Sequence, residues 1–354
     1  MAEKPLVSIT IVTFNSARYI ERCLEFVFKQ DYPQIEIIVV DNHSSDATQA
    51  VLQRFTSRIR VIYNPENTGF AAAQNQAIAL SGGSWVLTLN PDVRLSPTFV
   101  SSMVAAGELD PKVGAVAGKL LIMNEDFSIP EQSIFDSTGL YFTPNLRHFD
   151  RGNHTPDRGQ YDHFEYVFGC TGAAALYRRS MIENISIGGE FFDSDFFAYR
   201  EDADVAWRSQ LLGWKCIYTP RAVAWHVRRV LPSRRRSLPA AINMHSVKNR
   251  WLMRIKNMTG DLYRRHWLAI TLRDCVVIGA CLLFEWSSLR AFVLVLAGWS
   301  RTWAKRREIM RKRCVSDLEL ARWFAWKPSG VPLRPAELAA ASCLFAGDTQ
   351  NANC

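Results

Sequence analysis

The chain has 354 residues, 48% of them hydrophobic and 21% charged, with a formal net charge of +8. That length and apolar share suit one large domain with an appendage, or two domains, with a substantial buried core. Its eight cysteines lie far apart with no CxxC pair, which argues against a disulfide-stapled scaffold and fits reduced thiols in a cytosolic setting.

The opening MAEKPLVSITIVTFN lacks a basic stretch followed by a long apolar run, so it reads as a first strand and not as an export signal. VSITIVTF (7–14) is a β-rich apolar run, SARYIERCLEFVFKQ (16–30) has helical spacing, and IEIIVVD (35–41) is a second buried strand. ATQAVLQRF, IRVIYN, GFAAAQNQAIAL and SWVLTLN continue the alternation. A βαβα order predicts a mainly parallel sheet covered on both faces, with the ligand crevice beyond the carboxyl ends of the strands. Thr13, Asn15, Asp41, Asn42, Ser44, Asp46, Asn67, Asn90 and Asp92 stand at those ends.

Neither GxGxxG after the first strand nor GxxxxGK[ST] occurs, which removes the two commonest glycine-loop routes to a nucleotide. Asp41 closes its strand, where a carboxylate serves either as acceptor for the imide N–H of uracil or thymine or as a turn residue of DNHSSDAT. Gly69, after Asn67, allows close backbone approach to a ligand. In LTLNPDV, Asp92 either holds a divalent cation beside a diphosphate or makes an ordinary Pro-Asp turn.

Further along, GCTGAAAL (169–176) is a small-residue stretch around Gly172 that lets a substrate lie against backbone, and GGEFFDSDFFAYR (188–200) is an aromatic-rich loop. The loop runs into EDADVAWR, with Glu201, Asp202 and Asp204 at a helix start and Arg208 four residues after Asp204, a pairing distance on a helix. His226 ends the strand-like RAVAWH.

In this order and spacing, VSITIVTFNSARYIERCLEFVFKQ, IEIIVVDNHSSDAT, NTGFAAAQNQA, LTLNPD, GCTGAAALYRRS, FFAYREDADVAWR and GWKCIYTPRAVAWH resemble the family 2 inverting glycosyltransferases of the GT-A fold, especially their bacterial rhamnosyltransferase-like branch. The resemblance implies a Rossmann-like GT-A domain over residues 1–228 with a mainly parallel mixed sheet. It also implies single displacement on a UDP- or dTDP-sugar, with Asp202 as general base beside Glu201. Direct displacement needs a group to take the acceptor hydroxyl proton, and a carboxylate serves. Like charge on Glu201 and Asp204 is expected to raise the pKa of Asp202. The donor side inherits Thr13, Asn15, Asp41, Asn42, Asn67, Gly69, Asn75, Asn90 and Asp92, and the resemblance makes Asp92 and His226 ligands for Mg²⁺ or Mn²⁺. Gly172, Asp204, Arg228 and Arg229 are expected on the acceptor or phosphate side; if activity needs no metal, Arg228, Arg229 and Arg234 to Arg236 are the residues expected to hold the diphosphate.

The remainder differs chemically. Residues 1–227 carry 19 Lys+Arg against 26 Asp+Glu, whereas residues 228–354 carry 23 against 8. Within WLAITLRDCVVIGACLLFEWSSLRAFVLVLAGWS, charges at Arg273, Asp274, Glu285 and Arg290 leave uncharged runs of ten residues, shorter than a spanning helix wants. Residues 229–354 are therefore expected to be a basic amphipathic helical region lying on anionic membrane. That places the enzyme peripherally at the cytoplasmic face of the inner membrane, beside a lipid-linked or surface-glycan acceptor, with oligomer formation left open. Two other readings are a catalytically silent scaffold and, from the basic tail, a nucleic-acid-binding protein; nucleic acid is not the expected partner.

Overall fold

The computed structural model describes residues 3–228, 240–328 and 330–346. Arg229 and Arg234 to Arg236 fall outside them.

The N-terminal elements follow the expected alternation: β1 (Val7–Thr13), α1 (Ile20–Val27), β2 (Ile35–Asp41), α2 (Thr48–Gln53), β3 (Arg60–Tyr63), α3 (Phe70–Ala79) and β4 (Trp85–Leu89). α1 starts four residues later than the sequence spacing suggests, because the backbone N–H groups of Tyr19 and Ile20 turn back to the Ser16 carbonyl. From there Ile20, Cys23, Leu24 and Val27 bury one face at helical spacing.

β5 (Val93–Leu95), α4 (Phe99–Gly107), β6 (Val113–Ile122), β7 (Phe135–Ser137), β8 (Leu140–Phe142), β9 (His148–Asp150), β10 (Glu165–Val167), β11 (Ala174–Arg178), α5 (Arg179–Ile185), α6 (Glu201–Leu211) and β12 (Lys215–His226) complete the head. One mixed sheet runs β13-β10-β12-β6-β11-β4-β1-β2-β3, where β13 is Val331–Pro332 from the tail; β5 pairs with β12 and β7 with β6. β1, β2, β3 and β4 are mutually parallel, and β11 enters antiparallel between β4 and β6. That insertion sets Asn90 against Ala173, whose carbonyl accepts the Asn90 N–H at 2.9 Å, and so brings the segment around Gly172 to the strand ends.

The tail forms α7 (Ala240–Asn257), α8 (Gly260–Leu283), α9 (Arg290–Ala297), α10 (Trp299–Lys312), α11 (Asp317–Ala321) and α12 (Pro335–Ala346). It is knit into the head. Lys256 of α7 is fully buried between Asp193 and Asp204, Lys305 of α10 pairs with Asp193 at 2.5 Å, and Phe324 packs on Phe142 and Trp207. α8 is one continuous helix of 24 residues that carries the charges of Arg273 and Asp274 within it. Asp274 turns to α7, pairing with Arg250 at 3.1 Å and Arg254 at 2.6 Å, and α8 is long and apolar enough by length and composition to cross a membrane.

Candidate active site

A cavity of about 740 Å³ opens at the carboxyl ends of β4 and β12 and is lined by Asp92, Gly172, Asp202, His226, Arg228 and α7. Asp202 sits at the second position of α6. One of its carboxylate oxygens accepts the Gly172 N–H at 3.0 Å and the other its neighbour's, from Ala203, at 2.7 Å. Burial lifts the Asp202 carboxyl above its ordinary range, against those backbone donors, which favour the charged form. The expected cause, like charge from Glu201 and Asp204, is not what raises it. Glu201, buried with an Oε2 that has no hydrogen-bond partner, is pushed up to about 8, first by burial and then by the Asp202 charge.

The backbone entering α6 is strained: Phe197, Tyr199 and Arg200 have φ of 63°, 71° and 71°. Such positions cost on the order of 1–3 kcal/mol each and persist only where the surroundings over-determine them. Asn249 of α7 supplies that constraint, its side-chain amide donating to the carbonyls of Phe196, Ala198 and Tyr199 at 2.8 Å each. Arg200 adds hydrogen bonds to the Ser246 carbonyl and to His148 Nδ1, both at 3.1 Å.

Opposite, β5 pairs with β12 so that His226 faces Val93, and its Nε2 lies 3.4 Å from Asp92 Oδ1. That carboxylate oxygen is buried and accepts no hydrogen bond. His226 Nδ1 bonds Asp136 at 2.9 Å, which fixes the ring with Nε2 toward Asp92. Among the described residues no group of three or more His, Cys, Asp and Glu is placed to hold a metal ion. Asp92 Oδ1, buried and unpartnered beside His226 Nε2, is the atom a divalent cation would meet, its other ligands being left to diphosphate and water.

Other expected residues are spent on the fold. Asp41 is fully buried, and its oxygens accept from Thr13 Oγ1 (2.9 Å), Ser44 Oγ (2.5 Å), Ser44 N (3.1 Å) and Gln49 Nε2 (2.9 Å). Without a ligand, these contacts fill the lone-pair positions of the Asp41 carboxylate and organise its turn. Asn15 accepts the Ser45 N–H at 2.8 Å in the same turn. Asn42 bridges to Asn67 Oδ1 (2.9 Å) and to the Gly69 carbonyl (3.2 Å). Gly69, with φ of 86°, is required because a Cβ would stand 2.6 Å from the Phe197 ring, so its close approach is to the strained loop. Asn75 holds the same loop, giving and accepting one bond with the Phe192 backbone at 2.7 and 2.9 Å.

Asp204 is not on the acceptor side: fully buried, it accepts from Arg208, Lys256 and Asn257 at 2.9, 3.0 and 2.8 Å. Arg228 lines the cavity with its Nη groups on Asp136 Oδ1 (2.7 Å) and Asp150 Oδ2 (2.5 Å). The sequence reading missed Asp136, Asp150, His148 and Asn249. The first three come from three-residue strands too short to show a period, and Asn249 is one polar residue within a helix.

The glycosyl transferase family 2 profile matches residues 8–186, half of the chain. The chain belongs to that family. The N-acetylglucosaminyl-diphospho-decaprenol L-rhamnosyltransferase of Mycobacterium tuberculosis is 27% identical over 241 residues, covering 62% of this chain and 76% of that protein. Poly-β-1,6-N-acetyl-D-glucosamine synthase of Staphylococcus epidermidis is 22% identical over 221 residues, covering 62% and 49%. Among solved structures, GalNAc-T7 with UDP, GalNAc and Mn²⁺ superposes at a TM-score of 0.57 with 13% identity, covering 72% of this chain and 48% of that one. Staphylococcus aureus TarS superposes at 0.53 with 16% identity, covering 90% and 54%. The fold is therefore GT-A, and the enzyme is a glycosyltransferase, as the resemblance implied.

Proposed function

We propose that this glycosyltransferase moves a sugar, with rhamnose favoured, from a UDP- or dTDP-sugar to a lipid-linked or cell-surface glycan acceptor by a single inverting displacement. The carrying observation is the Asp202 carboxylate, held by two backbone N–H groups in the wall of the same cavity as the Asp92–His226 pair. The acceptor O–H gives its proton to Asp202 as its oxygen bonds to the anomeric carbon. The bond from that carbon to the diphosphate oxygen breaks, and the electron pair leaves with the nucleoside diphosphate. Burial makes Asp202 a stronger base than a solvated aspartate, and the two N–H donors keep its carboxylate aimed.

Mg²⁺ or Mn²⁺ on Asp92 and His226 would supply Lewis-acid stabilisation of the leaving diphosphate. Asp136 orients His226 for that ligand set, and Arg228 locks Asp136 and Asp150 around it. Supporting the acceptor class, the M. tuberculosis relative is named for transfer to a diphospho-decaprenol carrier. The donor-binding unit is assigned to residues 1–228 and the membrane-associating region to 229–354. The enzyme would lie peripherally at the cytoplasmic face of the inner membrane, with Trp267, Leu268, Leu272, Phe284 and Trp286 of the exposed apolar surface at the lipid.

The test is a panel of nucleotide sugars scored for Mn²⁺-supported hydrolysis and transfer, with Asp202→Asn alongside the wild type. Turnover by Asp202→Asn near the wild-type rate would overturn the assignment of the base.

A further inference from the structure

The tail helices add to the cavity wall a positive charge that the head does not neutralise. Arg250 of α7 and Arg273 of α8 both line the cavity that holds Asp202. Arg250 is 3% exposed, and although Nη2 reaches Asp274 at 3.1 Å, its Nε is buried without a hydrogen-bond partner. Arg273 is half-buried with its Nε likewise unpartnered, and it makes no ion pair among the described residues. Arg254, also buried with an orphan Nε, shares Asp274 with Arg250, so among the described residues one carboxylate serves two of these guanidiniums and Arg273 has none. Burial, and then the neighbouring Arg254 and Arg273 charges, lower Arg250 to about 10. Buried donors and surplus charge of this kind are costly until an anion meets them.

The apolar half of a ligand site lies next to that charge. Val277 is four residues past Arg273, on the same face of α8, and lines the same cavity. Around it Leu272, Val276 and Ile278 are exposed at 60%, 57% and 38%, and the helix ends in exposed Leu282, Leu283 and Phe284. The wall thus changes from guanidinium to hydrocarbon within one helical turn.

We propose that Arg250 and Arg273 bind the diphosphate of a polyprenyl-diphosphate-linked acceptor, whose hydrocarbon chain leaves over Val277 along the exposed face of α8. This rests on the glycosyltransferase reading above and supplies it with an acceptor anchor separate from the Asp92–His226 pair. Guanidiniums suit the task because their planar donor forks match phosphate oxygens. The site draws its cations from the tail and shares its cavity with the base from the head, so an acceptor held there presents its sugar hydroxyl within the space that Asp202 lines.

Binding of the full-length protein is measured on phosphatidylcholine vesicles doped with undecaprenyl diphosphate, with undecaprenol, or with phosphatidylglycerol. The wild type is expected to bind the diphosphate lipid at least about tenfold more tightly than undecaprenol, the effect of one or two charge-assisted hydrogen bonds. Arg273→Gln, which breaks no ion pair, is expected to lose that preference while keeping the wild-type melting temperature. Arg250→Lys, which retains a charge facing Asp274, tests the same site through loss of the fork. Equal binding to both polyprenyl lipids, or retention of the preference in both variants, overturns the proposal. Binding of phosphatidylglycerol as tight as that of the diphosphate lipid overturns it in favour of general anionic attraction. Inorganic pyrophosphate competing as well, mole for mole, as the diphosphate lipid overturns the role of the hydrocarbon chain. Donor hydrolysis by the wild type is scored separately: its absence alongside an intact diphosphate preference would refute the proposed reaction and leave the anion site standing.

Discussion

Replacing Asp204 by asparagine should unfold the protein more readily without touching Asp202, the proposed base two residues earlier. Asp204 is fully buried and accepts from Arg208 Nε at 2.9 Å, Lys256 Nζ at 3.0 Å and Asn257 Nδ2 at 2.8 Å. The neutral amide removes the charge that both cations face and turns an N–H₂ toward at least one donor. Breaking a buried ion pair typically costs 3–5 kcal/mol because the remaining charge is left uncompensated. Here each cation keeps something: Arg208 retains the carbonyls of Ile185 and Phe191 at 2.8 and 2.6 Å, and Lys256 retains Asp193. The expected loss therefore lies at the lower end, about 3 kcal/mol. Urea denaturation followed by circular dichroism reads it as a lower midpoint at constant slope. Because Lys256 and Asn257 belong to α7 and Asp204 to α6, the same variant reports how firmly the tail is fastened to the helix carrying the proposed base. A loss below about 1 kcal/mol would mean that this network does not hold α6 and α7 together, and the account of how the tail positions Asp202 would fail.

Asp202→Asn should show the opposite pattern, with transfer reduced on the order of 10²- to 10⁴-fold and nucleotide-sugar binding retained, measured by turnover and by ligand-induced thermal stabilisation. Glu201, folded near 8 against an ordinary 4.5, binds its proton more tightly in the native state than in the unfolded one. Its contribution to stability is thus fully present below the unfolded value and is lost as pH rises between about 4.5 and 8, so Glu201→Gln should flatten the fall in urea midpoint across that window. Chelation should abolish transfer, and Asp92→Ala and His226→Ala should each raise the Mn²⁺ concentration needed for half-maximal rate; full activity after exhaustive chelation would refute the metal assignment. The full-length chain should sediment with anionic vesicles at low salt and be only partly released by high salt, since apolar burial of Trp267, Leu272 and Phe284 is not screened.

The local sequence determined what local physics controls. Runs such as IEIIVVD and WVLTL became β2 and β4 because strand pattern and burial agree, and the βαβα order led to the parallel strands whose carboxyl ends line the crevice. The acid pair at 201 and 202 was legible as a helix start, and Asp92 and His226 as strand-end residues, because each sits at an element boundary marked in the sequence. Tertiary structure decided which polar residues remain available. Asp41, Asp204 and Arg228 carry the same chemistry as Asp202 or Arg273, yet partners 3 to 92 residues away take up their hydrogen bonds. Tertiary structure also decided the place of the tail. The charge at Asp274 reads in one dimension as a break in an apolar segment, but it is satisfied by Arg250 and Arg254 of the preceding helix, so α8 continues through it. A side chain's identity is local, whereas its desolvation and its partners are set by the tertiary fold, and those two quantities separate the proposed base from a strut.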